Sequence, residues 1–450
     1  MNYPVWNVSF LGSGLVVAII AIIHVLISHI AVGGGIFIAV AEWWAGRQAD
    51  GERVRAFLHG FVKYFLIYTT VFGAMTGVGI WFAIGLANPE GTSLLIHQFV
   101  FAWATEWVTF IGELTVLYLY FYGWEVNSRR MQLLLAVLYA VIAWLSLFVI
   151  NGILSFMLTP GGWTPENRDI AAGFFNPTFL PSLLGRTLAM LVLGGLFAML
   201  LAARIEDDLK ERIVALAARF VLPAAVAMPA LAVWYWFALP EAAQTMWLDG
   251  ATGVAGGRLE AVTRYSLLAV ITGALIVIGT LTFAARPRAV TRAAALAMLV
   301  IAQLGVLGGE FFREMARKPY VIHGTLYSNG LWQAESKSPA TLDAPYFEAA
   351  RWEPPGIAPG SPAHGEWIYR LQCASCHTLD GYRALDTRTR VWTPAFGERF
   401  LRDLAQQGVM PPFHGDAADR AALAAWLISR HGTPVTAAEV DAAAPAEVKR

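Results

Sequence analysis

Eight long apolar segments dominate the first part of this 450-residue chain. They lie at residues 8–45, 57–87, 97–124, 131–158, 180–204, 212–239, 263–285 and 291–312. Each is long enough to cross a hydrocarbon core of about 30 Å, which takes roughly 20 residues of helix. Hydrophobic residues make up 57% of the chain and charged residues only 14%, which excludes a soluble globular protein of this length. The segments therefore predict an all-α, polytopic membrane bundle.

Basic residues are concentrated in alternate connections between these segments. Eleven of them fall on one side, at Arg47, Arg53, Arg55, Arg129, Arg130, Arg204, Lys210, Arg212, Arg286, Arg288 and Arg292. The connections on the other side hold only Arg168 and Arg258. Because cytoplasmic loops retain an excess of Lys and Arg, the N-terminus and the C-terminal region are predicted to lie outside. Acidic and basic residues balance at 32 each without a basic patch, so we expect lipid but no nucleic acid as a partner.

Both cysteines of the chain lie in the pentapeptide Cys373-Ala-Ser-Cys376-His377. Two thiols at this spacing reach the vinyl groups of a haem, and the adjacent imidazole becomes the proximal iron ligand. A redox or zinc CxxC is the alternative, but no second cysteine pair exists to complete a zinc site. The pentapeptide predicts covalently bound haem c, and because haem c is attached on the periplasmic side of a bacterial membrane, it agrees with the outside location.

A methionine that could bind the other face of the haem follows 33 residues later. Met410 lies in the sequence Gly-Val-Met-Pro-Pro, a turn that can present a thioether to the iron. His364 and His414 are the alternative sixth ligands. An aromatic helix at residues 367–369 and a closing helix at residues 418–429 are expected to surround the porphyrin.

These observations predict four regions along the chain. Residues 1–325 form the membrane domain, residues 326–363 a linker, residues 364–431 a cytochrome c domain, and residues 432–450 a disordered tail. Six prolines fall within residues 336–365, which favours a semi-extended tether there.

Ionisable residues within spanning segments cost about 2.5 to 3.5 kcal/mol each on insertion scales, and they are functional candidates for that reason. Glu106 and Glu113 are seven residues apart, so they share one helix face about 10 Å from each other. A buried carboxyl group can carry protons near neutrality, so the pair is typical of stepping stones for protons. The alternative is a pair held neutral, or paired with Arg, for helix packing.

Two further sets of polar residues are candidates for haem contacts. His24 and His29 point in directions about 140° apart, so they would not bind one metal, and each is either a ligand or a satisfied polar residue. At the end of the eighth segment, Arg313 and Arg317 share one face and could pair with haem propionates. Snorkelling to the membrane interface is the alternative for these arginines.

The membrane part resembles subunit I of the cytochrome bd family of terminal oxidases across roughly residues 1–325. Four segments carry the resemblance: Ile23-His24-Val25 with Gly33, Thr76-Gly77 with Gly85, Glu106 through Glu113 to Gly123-Trp124, and Glu314-Met-Ala-Arg317-Lys-Pro319-Tyr320. The last is similar to the family's Glu-x-Gly-Arg-Gln-Pro-Trp signature, with Ala, Lys and Tyr substituted.

The resemblance implies a set of ligands and cofactors. His24 and Glu314 would be the axial ligands of two high-spin haems, haem b with either haem d or a second haem b. Which residue binds which haem stays open. Glu106 and Glu113 would bring protons to the oxygen-reducing site or gate it, and Arg317 would anchor a propionate.

The chain departs from the family's pattern at the sites for quinol oxidation. The family's low-spin haem b uses a histidine on the fifth helix and a methionine on the seventh, whereas residues 180–204 contain no His and residues 263–285 no Met. Gly185 or Arg186 stands at the expected histidine. That haem is expected to be absent or ligated differently, with His97 or His323 as candidates for a third membrane haem. The connection at residues 240–262 is short for a quinol loop, and a ninth helix is missing.

The combined expectation is a respiratory oxidoreductase of the bacterial inner membrane. It would take electrons through the periplasmic haem c instead of quinol and reduce oxygen to water. A periplasmic cytochrome c or another donor would supply the electrons, and a second membrane subunit would be the partner. Gly33 to Gly35 and Gly194-Gly195 could pack against that subunit or within this chain. The alternatives are a subunit that only relays electrons to a larger complex, and a reductase of another small molecule such as nitric oxide.

Overall fold

Eight helices in the described part of the chain are long and apolar enough to cross a membrane, which confirms the predicted number. The computed structural model describes residues 5–251, 258–346, 356–407 and 410–431. The spanning helices, numbered first to eighth below, are Ser13–Ala45, Gly51–Ala87, Val100–Tyr122, Arg129–Phe156, Phe179–Ala202, Asp208–Ala238, Thr263–Ala285 and Arg292–Arg317. A π-helical stretch, Tyr68–Gly73, interrupts the second helix between Gly51–Ile67 and Ala74–Ala87.

Shorter elements fill the connections and the C-terminal region. The connections contain the helices Pro89–Gln98, Ile170–Phe174 and Glu241–Ala251 and the 3-10 turn Pro287–Ala289, and the helix of the seventh span begins at Arg258. After the eighth helix come the strands Tyr320–Ile322 and Leu326–Tyr327, which pair antiparallel. The helical elements Gln333–Ser336, Pro339–Leu342, Pro362–Ile368, Tyr369–Cys373, Leu385–Thr389, Pro394–Arg402, Leu404–Gln406 and Ala417–Ser429 follow. Apart from the small hairpin, the described fold is helical, as expected.

The chain divides into two compact units. One unit, called the membrane unit below, consists of Ala21–Gly79 and Leu95–Arg317. The other, called the terminal unit, consists of Met1–Ile20, Ile80–Leu94 and Lys318–Arg450. The start of the first helix therefore folds with the C-terminal region.

The first and fifth helices of the membrane unit pack with their backbones in contact. A Cβ atom added to Gly33 would lie 1.8 Å from the carbonyl oxygen of Met190, and one added to Gly194 would lie 2.3 Å from the carbonyl carbon of Gly33. Without a hydrophobic driving force between helices in lipid, such close approach supplies the van der Waals contact that holds them together. Gly33 and Gly194 therefore pack within this chain, which was one of the two expected uses.

The region expected to be an extended tether is folded where the structure describes it. The helices Gln333–Ser336 and Pro339–Leu342 lie in it, and Tyr346 is 2% exposed in a core shared with Trp367 and Trp426. The tether prediction is therefore wrong for this part. Burial of the large apolar surface of the Tyr346 ring stabilises a folded segment over an extended one. Residues 347–355 and the tail at residues 432–450 lie outside the described residues, and the four domain boundaries remain predictions.

The close helix contact predicts the effect of a small substitution. In Gly33→Ala the methyl group has no space against Met190, so the first and fifth helices must separate. We expect a loss of about 1 to 3 kcal/mol of stability, as for other overpacked cores. Thermal unfolding in detergent measures it, with Gly273→Ala as the control because nothing lies within 4 Å of its new Cβ. Equal unfolding temperatures for the two variants would contradict the contact.

Candidate functional site

The CxxCH pentapeptide forms a tight turn after the helix Pro362–Ile368 and the π-helical Tyr369–Cys373. The backbone N–H groups of Cys376 and His377 donate to the carbonyl of Cys373, at 3.0 and 2.9 Å, and both cysteines are free thiols. Nδ1 of His377 lies 2.9 Å from the carbonyl oxygen of Arg383. When Nδ1–H donates to that carbonyl, Nε2 carries the lone pair that an iron ligand needs. The residues therefore fit a covalently bound haem c.

The two thiols have different electrostatic surroundings. Burial raises the pKa of the Cys373 thiol to about 12. Burial acts in the same sense on Cys376, but the Lys318 ammonium and a hydrogen bond with Ser375 bring the pKa of that thiol below its usual value. Cys376 also lies 3.9 Å from the hydroxyl of Ser328. The segment that follows the eighth helix is thus packed against the motif within the terminal unit.

The loop that contains Met410 is held against the residue preceding the motif. Gln372 donates through Nε2 to the carbonyl of His414 at 2.6 Å and accepts from its backbone N–H at 3.1 Å. Asn329 donates to the carbonyl of Pro412 at 3.0 Å. Met410 itself is partly buried in this loop. These bonds fix the loop from two directions, as presentation of a sixth ligand requires.

The two alternative histidines differ in how their ring nitrogens are bonded. Nδ1 of His364 accepts from the N–H of Gly360 at 2.9 Å, and its Nε2 lies 2.9 Å from a carboxylate oxygen of Asp419. Both ring nitrogens of His364 are therefore engaged, and it does not fit as an iron ligand. The ring of His414 packs edge-on against Tyr346 at 5.3 Å, and its Nε2 is buried without a hydrogen-bond partner among the described residues. His414 therefore stays the alternative to Met410 as the sixth ligand.

Asp419 organises the core of this region. Its carboxylate accepts from the backbone N–H groups of Tyr346 at 2.8 Å and Asp416 at 2.9 Å, in addition to the contact with His364. Burial alone would raise the pKa of Asp419, but these three donors bring it below the usual value. The carboxylate joins the closing helix, Ala417–Ser429, to the helix that precedes the motif.

The start of the first spanning helix contacts the CxxCH loop directly. Ser13 Oγ donates to the carbonyl of Ala374 at 3.3 Å, and the N–H of Tyr382 donates to the carbonyl of Phe10 at 2.8 Å. A Cβ added to Gly14 would lie 2.7 Å from the carbonyl oxygen of Ser375. The motif is therefore docked on this helix end within the terminal unit, where the sequence had suggested a tethered domain.

His24 is held by the second helix of the membrane unit. Its Nδ1 lies 3.0 Å from Thr76 Oγ1, and that hydroxyl donates in turn to the carbonyl of Phe72 at 2.7 Å. The hydroxyl is therefore the acceptor for Nδ1–H, which leaves the lone pair on Nε2. A Cβ on Gly77 would lie 3.3 Å from the imidazole, so glycine gives the ring space. This arrangement fits an iron ligand, and the π-helical stretch next to it is typical of functional sites.

The remaining predicted residues lie on the third and eighth helices. Glu106 and Glu113 share the expected face of the third helix, and Glu113 is hydrogen-bonded to Ser146 on the fourth. On the eighth helix, Arg317 donates to Glu314 at 2.5 Å and Arg313 to Glu310 at 3.1 Å. Each arginine thus pairs with the carboxylate one turn before it.

The structure adds an ion pair that the sequence did not reveal. Arg186 on the fifth helix lies 2.6 Å from Glu310, whose other oxygen accepts from Arg313. His29, 3% exposed, lies in the field of both Arg186 and Glu310, and its Nδ1 is 2.7 Å from the carbonyl of Val25. A guanidinium has no lone pair for iron. Arg186 therefore offers no ligand for the low-spin haem that the resemblance led us to look for at Gly185 or Arg186.

A second buried pair lies at the end of the first helix. Tyr120 donates to Glu42 at 2.6 Å, and both residues are buried. Tyr120 lies seven residues beyond Glu113, so its register with the two carboxylates was visible in the sequence. Glu42 was not, because only the packing of the first and third helices brings it to Tyr120.

A membrane helix bundle with buried histidine and carboxylate groups, joined to a haem c motif, defines a membrane-bound haem oxidoreductase. Residues 13–245, just over half of the chain, match the family described as Cytochrome bd terminal oxidase subunit I. Residues 360–427 match Cytochrome C oxidase, cbb3-type, subunit III. The chain therefore belongs to the cytochrome bd terminal oxidase subunit I family, and it is an integral membrane oxidoreductase of the respiratory type with haem cofactors.

A solved structure has the same fold. The bd oxidase from Geobacillus thermodenitrificans is 17% identical with a TM-score of 0.61, and the match covers 69% of this chain and 88% of that chain. No curated protein sequence matches the chain. The family and the fold that the resemblance implied are confirmed, and the roles of single residues remain predictions.

The buried Asp419 predicts how the terminal unit responds to acid. Its pKa is below that of an unfolded Asp, about 3.9, so its contribution to stability is present above about pH 4 and is lost as the pH falls through the folded value. Asp419→Asn should therefore lower stability by about 2 kcal/mol at neutral pH and weaken the acid dependence. Urea unfolding followed by haem c absorbance measures both. Asp403→Asn is the control, because the Asp403 side chain is 41% exposed. An Asp419→Asn protein as stable as this control would contradict the role.

Proposed function

We propose that the chain is the catalytic subunit of a respiratory oxidase that receives electrons through haem c and reduces oxygen to water. Two held imidazoles carry this proposal, one in each unit. In the terminal unit, Nδ1 of His377 lies 2.9 Å from the carbonyl oxygen of Arg383, and in the membrane unit, Nδ1 of His24 lies 3.0 Å from Thr76 Oγ1. Each arrangement fits an iron ligand, so the chain offers both an electron inlet and a candidate ligand of the membrane haems.

Each candidate residue has a distinct role in this proposal. Cys373 and Cys376 bind haem c covalently, and His377 with Met410 holds its iron. His24 and Glu314 bind two high-spin haems, haem b with haem d or a second haem b, which supply the electron transfer and the oxygen chemistry when bound. Arg317, which pairs with Glu314, and Arg313, which pairs with Glu310, would receive propionates.

Protons and electrons must both reach the oxygen-reducing site. Reduction of one oxygen molecule to two waters consumes four electrons, supplied by a periplasmic cytochrome c or similar donor, and four protons. Glu106 and Glu113 would carry the protons along the third helix. With the haem c domain in the periplasm and the bundle in the bacterial inner membrane, electrons from outside and protons from inside would charge the membrane. A second membrane subunit of the bd type would complete the enzyme.

The Arg186–Glu310 pair supports electron delivery without quinol. By the resemblance, Gly185 or Arg186 stands where the family has the histidine of its low-spin haem, and Arg186 is paired here with Glu310, a buried ion pair that is costly to break. By the same resemblance, the connection at residues 240–262 is short for a quinol loop. Haem c would replace both the quinol site and the low-spin haem b as the entry for electrons.

Oxygen uptake by the purified protein with reduced cytochrome c tests the proposal. Glu314→Ala removes a proposed ligand, so we expect uptake to fall by at least about tenfold and one non-covalent haem to be lost. A pyridine haemochrome measurement should give two non-covalent haems per haem c in the wild type and fewer in the variant. The exposed Glu166→Gln is the control. Unchanged uptake in Glu314→Ala would refute the ligand, and three non-covalent haems in the wild type would refute the loss of the low-spin site.

The docked motif predicts a second kinetic effect. In Gly14→Ala the new methyl group would lie 2.7 Å from the backbone of Ser375, so the CxxCH loop must move away from the helix. We expect haem c to be attached and reduced normally, while electron transfer from it to the membrane haems slows severalfold in stopped-flow spectra. Gly85→Ala is the matched control, because nothing lies within 4 Å of its Cβ. Transfer at the wild-type rate in Gly14→Ala would contradict the proposed inlet.

A further inference from the structure

A buried carboxylate, Glu42, lies near the C-terminal end of the first helix. The connections rich in Lys and Arg lie at this end of the bundle. The side chain of Glu42 is 3% exposed. One of its oxygens accepts from Tyr120 at 2.6 Å, and the other lies 3.5 Å from Nε of Arg55. A second nitrogen of Arg55 lies 3.3 Å from a carboxylate oxygen of Glu52, which is on the surface. Glu42 is therefore connected both to the aqueous end of the bundle and to the interior of the third helix.

Tyr120 extends the line of carboxylates on the third helix. Glu106, Glu113 and Tyr120 follow one another at intervals of seven residues, so all three lie on one face with about 10 Å between successive positions. Intervals of this length are too large for direct proton transfer, which needs donor and acceptor within hydrogen-bond reach or joined by water. Groups from a neighbouring helix must bridge them.

The fourth helix supplies hydroxyl groups at these intervals. Ser146 is hydrogen-bonded to Glu113, and Tyr139, seven residues before it, lies in the field of the same carboxylate. Tyr139 is buried, and its hydroxyl is 3.4 Å from the carbonyl of Ala31. Because the third and fourth helices run antiparallel, Tyr139 lies on the same side of the Glu113–Ser146 bond as Tyr120. Two ladders of protonatable groups thus face each other.

We infer that Glu42 and Tyr120 form the inlet of a proton route that continues past Tyr139 to Glu113, Ser146 and Glu106. Tyr120 passes a proton through its hydroxyl while it stays bonded to Glu42, and Arg55 holds the carboxylate in place. Intramembrane carboxylates in such chains are typical of proton relays. The inference rests on the proposed function, because that function consumes the protons. The protons would come from the aqueous side on which the connections rich in Lys and Arg lie.

A structural role for the same residues makes a different prediction. If Glu42 served only to pair with Arg55, the isosteric amide of Glu42→Gln would weaken folding or haem binding. The rate of proton uptake would then fall only as far as the haem content falls. If Glu42 belongs to the inlet, the amide keeps the contact with Tyr120 but cannot take up and release a proton. Haem content therefore separates the two roles.

Proton uptake on chemical reduction of the purified holoprotein without oxygen tests the inlet. A pH-indicator dye follows the protons while haem spectra follow reduction, so the readout does not depend on the terminal acceptor. We expect Glu42→Gln and Tyr120→Phe to slow proton uptake by at least about tenfold with normal haem content. Infrared difference spectra should lose one carboxyl band in Glu42→Gln. The control is Glu125→Gln, which changes an exposed carboxylate between the third and fourth helices and should keep the wild-type rate.

Each outcome decides the inference. Wild-type proton uptake in both folded variants would overturn it, as would uptake that falls only in step with haem content. If Glu42→Gln does not fold, Tyr120→Phe decides alone, because it removes only a hydroxyl and preserves the packing. A wild-type protein that takes up protons on reduction but consumes no oxygen would refute the proposed function and leave the inlet standing.

Discussion

A charged group in the hydrocarbon core must have a partner, and this requirement determines how the helices of the membrane unit pack together. Glu310 cannot remain ionised among apolar side chains without compensation, and Arg186 and Arg313 provide it from two helices. Glu42 is compensated in the same way by Arg55 and Tyr120 from two other helices. Glu310 thus fixes the register of two helices and Glu42 that of three, which apolar contacts alone would leave adjustable.

The first helix connects most of the features with a proposed function. Its first turn supports the CxxCH loop, His24 lies in its middle, and Gly33 brings it against the fifth helix. Glu42 lies near its end. The first helix therefore contributes residues to both units, including a candidate haem ligand and the inferred proton inlet in the membrane unit.

Much of the molecule could be predicted from local patterns. The eight spanning helices follow from apolar runs whose length matches the membrane, and the cytochrome c domain is indicated by a motif of five residues. Glu106 and Glu113 share a face because helical periodicity requires it. The tether at residues 326–363 was predicted wrongly where it is described, since proline content reports local stiffness and not the burial of Tyr346 against Trp367.

The sequence alone determined which elements form and which chemical groups they carry, because helix formation in a membrane and the CxxCH turn depend on neighbouring residues. The tertiary structure decided which groups meet. Thr76 reaches His24 from 52 residues away, Arg186 reaches Glu310 from the fifth helix, and Tyr120 reaches Glu42 from 78 residues away. Such pairs depend on the rotation and depth of whole helices, which many apolar contacts and a few buried charges settle together, and no local pattern records that outcome.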